Sequence, residues 1–299
     1  MRIFIAGGTG FIGQALCRAL VKRGDQLTVL SRQPLMDTQA VRFCQNIAEF
    51  TDFNAFDAVI NLAGEPIFDK RWAVVQKEKL LKSRIGITQQ IVQRIEQSED
   101  PPKVFLSGSA TGFYGNLPNA KMYTEQTASG THFAADICRQ WESEAMKASH
   151  QTRLCLLRTG MVLDSSGGAL KKMLPLFRLG LAGKIGNGKQ CWAWISLYDH
   201  VRAMLFLLDN PACSGAFNFV APQAVSNANF TATLASALNR PAFLCVPEFM
   251  LKMVLGERSQ LLLDNQPLYP QKLLQAGFKF KEPELAPFLA KLMNRKRYL

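Results

Sequence analysis

The chain has 299 residues, of which 48% are hydrophobic and 19% charged, with a formal net charge of +12. That composition supplies a core large enough for one big α/β domain or two packed units, and it excludes a wholly disordered chain. No run approaches the roughly 18–20 apolar residues that cross a bilayer, and the seven cysteines and three histidines show neither C-x-x-C nor H-x-x-x-H spacing, which argues against a disulfide framework and a metal site.

The first half alternates short β-branched runs with helical patterns, the mark of parallel βαβ units. Ile3-Phe4-Ile5 reads as a strand, Phe11 to Arg23 as a helix closed by Gly24 at the C′ position, and Leu27-Thr28-Val29-Leu30 as a second strand. Ala58-Val59-Ile60-Asn61 is a later strand, followed by one long helix from about Lys70 to Gln97. Val104 to Ser107 and Arg153 to Arg158 are further buried strands, flanking a helix around His132 to Ser149. After Gly160 the rhythm changes. A basic amphipathic helix from Leu170 to Leu179 precedes a glycine-rich stretch, a short strand Trp194-Ile195-Ser196, a helix from Asp199 and a last strand from Ala216 to Val220. From about Ser226, short helices are separated by Pro241, Pro247, Pro267 and Pro270.

Residues 2–13 read R-I-F-I-A-G-G-T-G-F-I-G, which sets Gly7, Gly10 and Gly13 between the first strand and the first helix. One glycine permits a tight turn, one lets backbone approach a diphosphate, and one lets helix and strand pack closely. The helix start then offers free N–H groups and partial positive charge. A dinucleotide site over Gly7, Thr9, Gly10, Phe11, Ile12 and Gly13 is the reading. An NAD site usually ends the second strand with Asp or Glu for the ribose 2′-hydroxyl. Here that strand ends Val29-Leu30-Ser31-Arg32, with no carboxylate before Asp37. Arg32 can fork onto a 2′-phosphate and Ser31 can donate to it, so NADP(H) is the expected cofactor.

The fold class expected is α/β, a doubly wound parallel sheet of the NAD(P)-binding Rossmann type with a smaller, mainly helical C-terminal substrate lobe. Residues 1–160 plus 187–225 form the nucleotide-binding domain in this reading, and 161–186 plus 226–299 the substrate lobe. The positive charges are dispersed apart from Arg295, Lys296 and Arg297, which fits a phosphate-bearing ligand rather than nucleic acid. The first apolar run, Arg2 to Ala6, is too short for a secretory signal. A cytoplasmic protein without a membrane partner is expected.

Further segments resemble the extended branch of the short-chain dehydrogenase/reductase superfamily: Asn61-Leu62-Ala63-Gly64, and Ser107-Gly108-Ser109-Ala110 with Tyr114-Gly115. Others resemble, more narrowly, the epimerase family, which is NAD-dependent epimerase/dehydratase-like: Lys82-Ser83-Arg84, Cys138 to Glu142, Arg158 to Leu163 and Trp194-Ile195-Ser196. The tail from Val246-Pro247 to about Pro287 resembles that group's C-terminal domain. The resemblance implies that Leu62, Ala63 and Gly64 line the adenine side of the cofactor, that Lys79 and Arg84 face it, and that Met161 passes the nicotinamide. It also implies that Ser109 is the active-site serine.

One element of that superfamily is missing. Its general acid/base is a Tyr followed four positions later by Lys, whose ammonium lowers the phenol's pKa. Aligning the tyrosine to Phe133 puts Ile137 at the lysine position, and a shift by one gives Ala134 and Cys138. Ser109 then remains to hydrogen-bond a substrate carbonyl and Tyr114 to donate a proton, with Glu125 or His132 nearby. Two functions stay open: an oxidoreductase or epimerase acting on a small substrate, and a sensor or scaffold that binds NADP(H) without turnover. Lys171, Lys172 and Arg178 would draw in an anionic substrate or form a solvated face. The helices after Lys70 and His132 would support a homodimer, or spend their apolar stripes on the sheet.

Overall fold

The structure is a computed structural model, and it describes residues 1–119 and 121–294. The basic tail Arg295, Lys296 and Arg297 lies outside the described residues. In chain order the first half runs β1 (Arg2–Ala6), α1 (Phe11–Arg23), β2 (Gln26–Leu30), β3 (Val41–Cys44), β4 (Ala58–Asn61), α2 (Val74–Leu81), α3 (Ile87–Glu96), β5 (Val104–Ala110), α4 (Phe133–Met146) and β6 (Arg153–Thr159). The remainder is β7 (Met161–Leu163), α5 (Gly168–Arg178), β8 (Gly183–Ile185), β9 (Cys191–Trp192), β10 (Trp194–Ser196), α6 (Leu197–Asp209), β11 (Gly215–Phe219), β12 (Val225–Ser226), α7 (Asn227–Leu238), β13 (Leu244–Val246), α8 (Glu248–Leu255), α9 (Gln260–Leu263), α10 (Gln271–Gln275) and α11 (Leu285–Asn294).

A seven-stranded sheet in the order β11-β6-β5-β4-β1-β2-β3 forms the centre, with every pairing parallel. The doubly wound Rossmann-type architecture expected from the sequence is the one observed. Strand order reverses between β1 and β4, and in such sheets ligands bind beyond the carboxyl ends at that reversal. Alternation along each strand feeds two cores. Ile3 and Ile5 join Leu16 and Leu20 of α1 and Met204 and Leu207 of α6 on one face. Phe4 and Val59 join Ile91 and Ile95 of α3 and Ala145 of α4 on the other. The apolar stripe of α3 and Ala145 of α4 therefore face the sheet, while Ala134 and Ile137 of α4 pack with Trp72 and Leu80.

A third core gathers Leu163, Trp192, Trp194, Phe230 and Phe288, with the Trp194 and Phe288 rings stacked at 5.6 Å between centroids. It belongs to the mainly helical C-terminal part; outside the large sheet the described residues form three two-stranded pairings and two isolated bridges. Trp192 and Trp194, from the segment 187–225, contribute to this core. Among the described residues, no helix is long and apolar enough to cross a membrane.

Two local features depart from the sequence reading. β3 was not foreseen, because Val41 to Cys44 is a short edge strand entered from a polar loop. The helix expected from Lys70 to Gln97 starts only at Val74 and is interrupted by a π-turn over Lys82–Gly86. Such a turn inserts one residue and rotates the side chains that follow it, often at functional sites.

Candidate functional site

The loop between β1 and α1 is shaped by its glycines. Gly7 has φ +82, and a Cβ there would lie 2.6 Å from the carbonyl carbon of Leu62. A Cβ on Gly13 would overlap the carbonyl oxygen of Gly7. The turn is closed by the Gly10 amide donating to the Gly7 carbonyl at 3.1 Å. Gly10 caps α1 without a side-chain hydrogen bond, and the first turn carries no acid. The helix thus presents unpaired N–H groups and uncompensated positive potential. Thr9 is exposed, Ile12 half-buried, and the ring of Phe11 packs tightly under Gly167 and Gly168. Backbone, donors and dipole together suit a diphosphate.

Beside this loop lies a cleft of about 750 Å³ lined by Gly8, Thr9, Gln14, Ser31, Arg32, Gln33 and Phe43, among others. The Arg32 side chain is 90% exposed at its rim, and its nearest carboxylate is Glu65 at 3.9 Å. Ser31 is buried, and its hydroxyl both donates to the Gln33 carbonyl and accepts from the Gln33 amide. Asp37, the first carboxylate after β2, accepts from the Phe43 amide at 2.7 Å. The acid that reaches Arg32 comes instead from the loop after β4, and the sequence reading missed it. Glu65 also sits 3.3 Å from Lys79 Nζ, so Lys79 faces Glu65.

The β4 loop is pinned from several sides. The Leu62 amide donates to the Ala6 carbonyl, the Ala63 amide to Asn61 Oδ1 and the Glu65 amide to Ser83 Oγ. Asn61 Nδ2 and Trp141 Nε1 both donate to Thr88 Oγ1, at 2.8 and 2.9 Å. Arg84, within the π-turn, packs against Gly64, where a Cβ would stand 3.1 Å from its Cζ. Leu62, Ala63, Gly64 and Arg84 thereby lie together across the loop from Gly7. Met161 is half-exposed further along, its amide donating to the Ala193 carbonyl.

Ser109 and Tyr114 are drawn into a buried network. Ser109 Oγ donates to Glu142 Oε1 at 2.6 Å, and Arg158 meets Glu142 through two hydrogen bonds of 2.9 and 2.8 Å. Arg158 Nη1 also donates to the Tyr114 hydroxyl and to the Glu125 carbonyl. The Tyr114 hydroxyl in turn donates to Asn218 Oδ1 at 2.6 Å. Burial works against the Arg158 cation, but the Glu142 carboxylate outweighs it and holds the pKa above the usual range. Burial pushes the Tyr114 phenol up to about 12. Tyr114, expected as a proton donor, is 1% exposed with its hydrogen committed to Asn218. The proton of Ser109 is committed to Glu142, so the expected hydrogen bond to a substrate carbonyl has no free donor in this arrangement.

Neither tyrosine register supplies a base. Phe133 packs edge-on against Trp72, and Ala134, Ile137 and Cys138 are buried, the Cys138 thiol being pushed up to about 11 by burial. His132 Nε2 faces Asp264 at 3.5 Å, and burial raises the Asp264 carboxyl. Glu125 Oε1 accepts from the amides of Asn218 and Lys272, a capping role. Among the described residues, no group of three or more His, Cys, Asp or Glu gathers to hold a metal ion.

The model of the NAD dependent epimerase/dehydratase family matches residues 3–219. The chain belongs to this family. A domain of unknown function, DUF1731, matches residues 246–292 of this epimerase family chain. The chloroplastic homologue of epimerase family protein SDR39U1 from Arabidopsis thaliana is 34% identical, the alignment covering 98% of this chain and 87% of that protein. Epimerase family protein ML0860 of Mycobacterium leprae is 36% identical, over 98% of this chain and 96% of that one. The crystal structure of human epimerase family protein SDR39U1 (isoform 2) with NADPH superposes with a TM-score of 0.90 at 33% identity, covering 98% of this chain and 99% of that one.

Proposed function

We propose that this epimerase family chain binds NADP(H) at the β1–α1 loop and serves as an oxidoreductase or epimerase on a small substrate held toward the C-terminal lobe. The observation that carries the cofactor assignment is the exposed guanidinium of Arg32 at the rim of the cleft beside an uncapped helix start, with its nearest carboxylate 3.9 Å away. The NADPH bound to the human relative supports it. When bound, NADP(H) supplies hydride chemistry. Gly7, Gly10 and Gly13 give the diphosphate room and free amides, while Arg32 meets the 2′-phosphate. Leu62, Ala63 and Gly64 wall the adenine side, and Met161 lies toward the nicotinamide end. The free thiols of all seven cysteines fit a reducing compartment such as the cytoplasm.

A second reading is favoured by a specific observation. Ser109 and Tyr114 have their protons committed to Glu142 and Asn218, and the tyrosine and lysine positions of α4 are apolar or thiol. An NADP(H)-binding sensor or scaffold without turnover matches that geometry. Following NADPH absorbance against a panel of carbonyl compounds separates the two. Consumption with at least one compound, abolished in Gly13→Ala, supports the enzyme; no consumption at saturating NADPH supports the sensor.

A further inference from the structure

We propose that the outer face of the C-terminal part, built by α8 and the β8–β13 pair, docks on an anionic membrane surface without crossing it. The proposal is independent of the NADP(H) reading and uses other residues.

The face is assembled from two segments of sequence. β13 lies parallel to β8, with Leu244 opposite Gly183 and Cys245 opposite Lys184. A Cβ on Gly180 would stand 3.2 Å from Pro241, and Arg240 Nε donates to the Arg178 carbonyl at 2.9 Å. The end of α5 therefore abuts the approach to β13. Pro247 then starts α8, and Glu248 packs on Gly186. This assembly leaves Leu179, Leu181, Phe249, Met253 and Val254 each more than half exposed, and Phe243 91% exposed. On α8 the exposed residues Phe249 and Met250 recur four positions later as Met253 and Val254, while Leu251 is buried. Single exposed apolar side chains are ordinary, but a group drawn together in this way marks an interaction surface.

The charges around it select the partner. Residues 170–190 and 240–255 contain seven Lys or Arg residues against one acid, Glu248. Arg178, Lys184, Arg240 and Lys252 are exposed, and Glu248 lies 4.0 Å from Lys252. An apolar face flanked by cations suits the headgroup region of an anionic bilayer, where the apolar side chains reach the acyl boundary and the cations meet phosphate. The net charge of +12 draws the whole chain to the same surface. A second copy is a poor occupant. A twofold contact would oppose the same cations across the interface, with one Glu248 from each chain to offset them.

The sequence reading expects no membrane partner because it tests for a spanning run. Here the apolar residues come from separate segments and lie on the surface, and among the described residues no helix is long and apolar enough to span.

The test is sedimentation of the full chain with vesicles of mixed phosphatidylglycerol and phosphatidylcholine, and with vesicles of phosphatidylcholine alone. Binding to the mixed vesicles at least about 10-fold tighter than to the neutral ones is expected. Phe249→Ser combined with Met253→Ser should weaken that binding by more than about 10-fold, since both side chains lose their transfer out of water. Lys184→Gln combined with Lys252→Gln should weaken it about 10–30-fold. All four side chains are exposed, so both variants should melt with the unaltered protein. Arg295, Lys296 and Arg297 are unchanged in both, so a loss reports this face and not the tail. No binding to the mixed vesicles, or binding that ignores the apolar pair, would overturn the proposal. So would a dimer in lipid-free sedimentation that the apolar pair of substitutions abolishes, which would give the face to a second copy.

Discussion

Ser109 Oγ and Glu142 Oε1 stand 2.6 Å apart, both residues less than a tenth exposed, and the same carboxylate is held by the guanidinium of Arg158. The serine expected from the sequence to face substrate is thus tied to an ion pair spanning β5, α4 and β6. Arg158 also lies 3.6 Å from the centroid of the Phe113 ring, which shields the pair further.

Removing one partner strands the other. Glu142→Ala leaves Arg158 buried and unpaired, and it should cost about 3–5 kcal/mol of stability. Ser109→Ala removes one neutral donor and should cost about 1 kcal/mol. Urea unfolding of the two variants checks the ranking; equal losses would contradict it.

Gly13→Ala forces a methyl into the Gly7 carbonyl oxygen, and backbone cannot step aside as a flexible side chain would. A loss of about 1–3 kcal/mol is expected from the overpacking, together with loss of NADPH binding as the loop opens. Gly24→Ala meets no atom within 4 Å but requires φ +90, so it should lower stability while leaving binding intact. Thermal melting and a fluorescence titration of the same samples separate the two effects.

Arg32→Ala should weaken NADPH about 10–100-fold, the worth of a charge-assisted hydrogen bond, and leave NADH unchanged. Glu65→Gln removes the carboxylate nearest that guanidinium and should tighten NADPH binding by several-fold, roughly the scale of an exposed ion pair. A fall in affinity for Glu65→Gln would show that the acid orients Arg32 rather than competes for it.

His200 is fully buried against Phe219, and burial lowers its pKa from 6.5 to about 3. Above pH 6.5 the ring is neutral in both folded and unfolded chains and contributes no pH dependence. Below that value the unfolded chain takes up a proton that the folded one refuses, so stability falls by about 1.4 kcal/mol per pH unit down to the folded pKa. Between about pH 7 and pH 5 this single group should account for about 2 kcal/mol, and His200→Leu should flatten the dependence by that amount.

The features legible in the sequence are those with local causes. Gly10 and Gly13 mark the phosphate loop because the atoms that crowd them belong to Gly7 and Gly8, Gly7 turns through its own left-handed φ, and Gly24 ends α1 in the same way. The features that escaped depend on distant partners. Glu65 comes to Arg32 from another strand, and the tie of Ser109 to Glu142 and Arg158 joins residues up to 49 positions apart, from 109 to 158. The π-turn that carries Arg84 leaves no periodicity signal, since a helical spacing of Leu80, Ile87 and Ile91 reads through it.

Titrating the unaltered protein with NADPH and NADH under one set of conditions tests the account at its centre. NADPH binding at least about 10-fold tighter than NADH is the predicted result, the minimum expected from a guanidinium on the 2′-phosphate. Equal affinities would contradict the role given to Arg32, and no binding of either would contradict the dinucleotide site altogether.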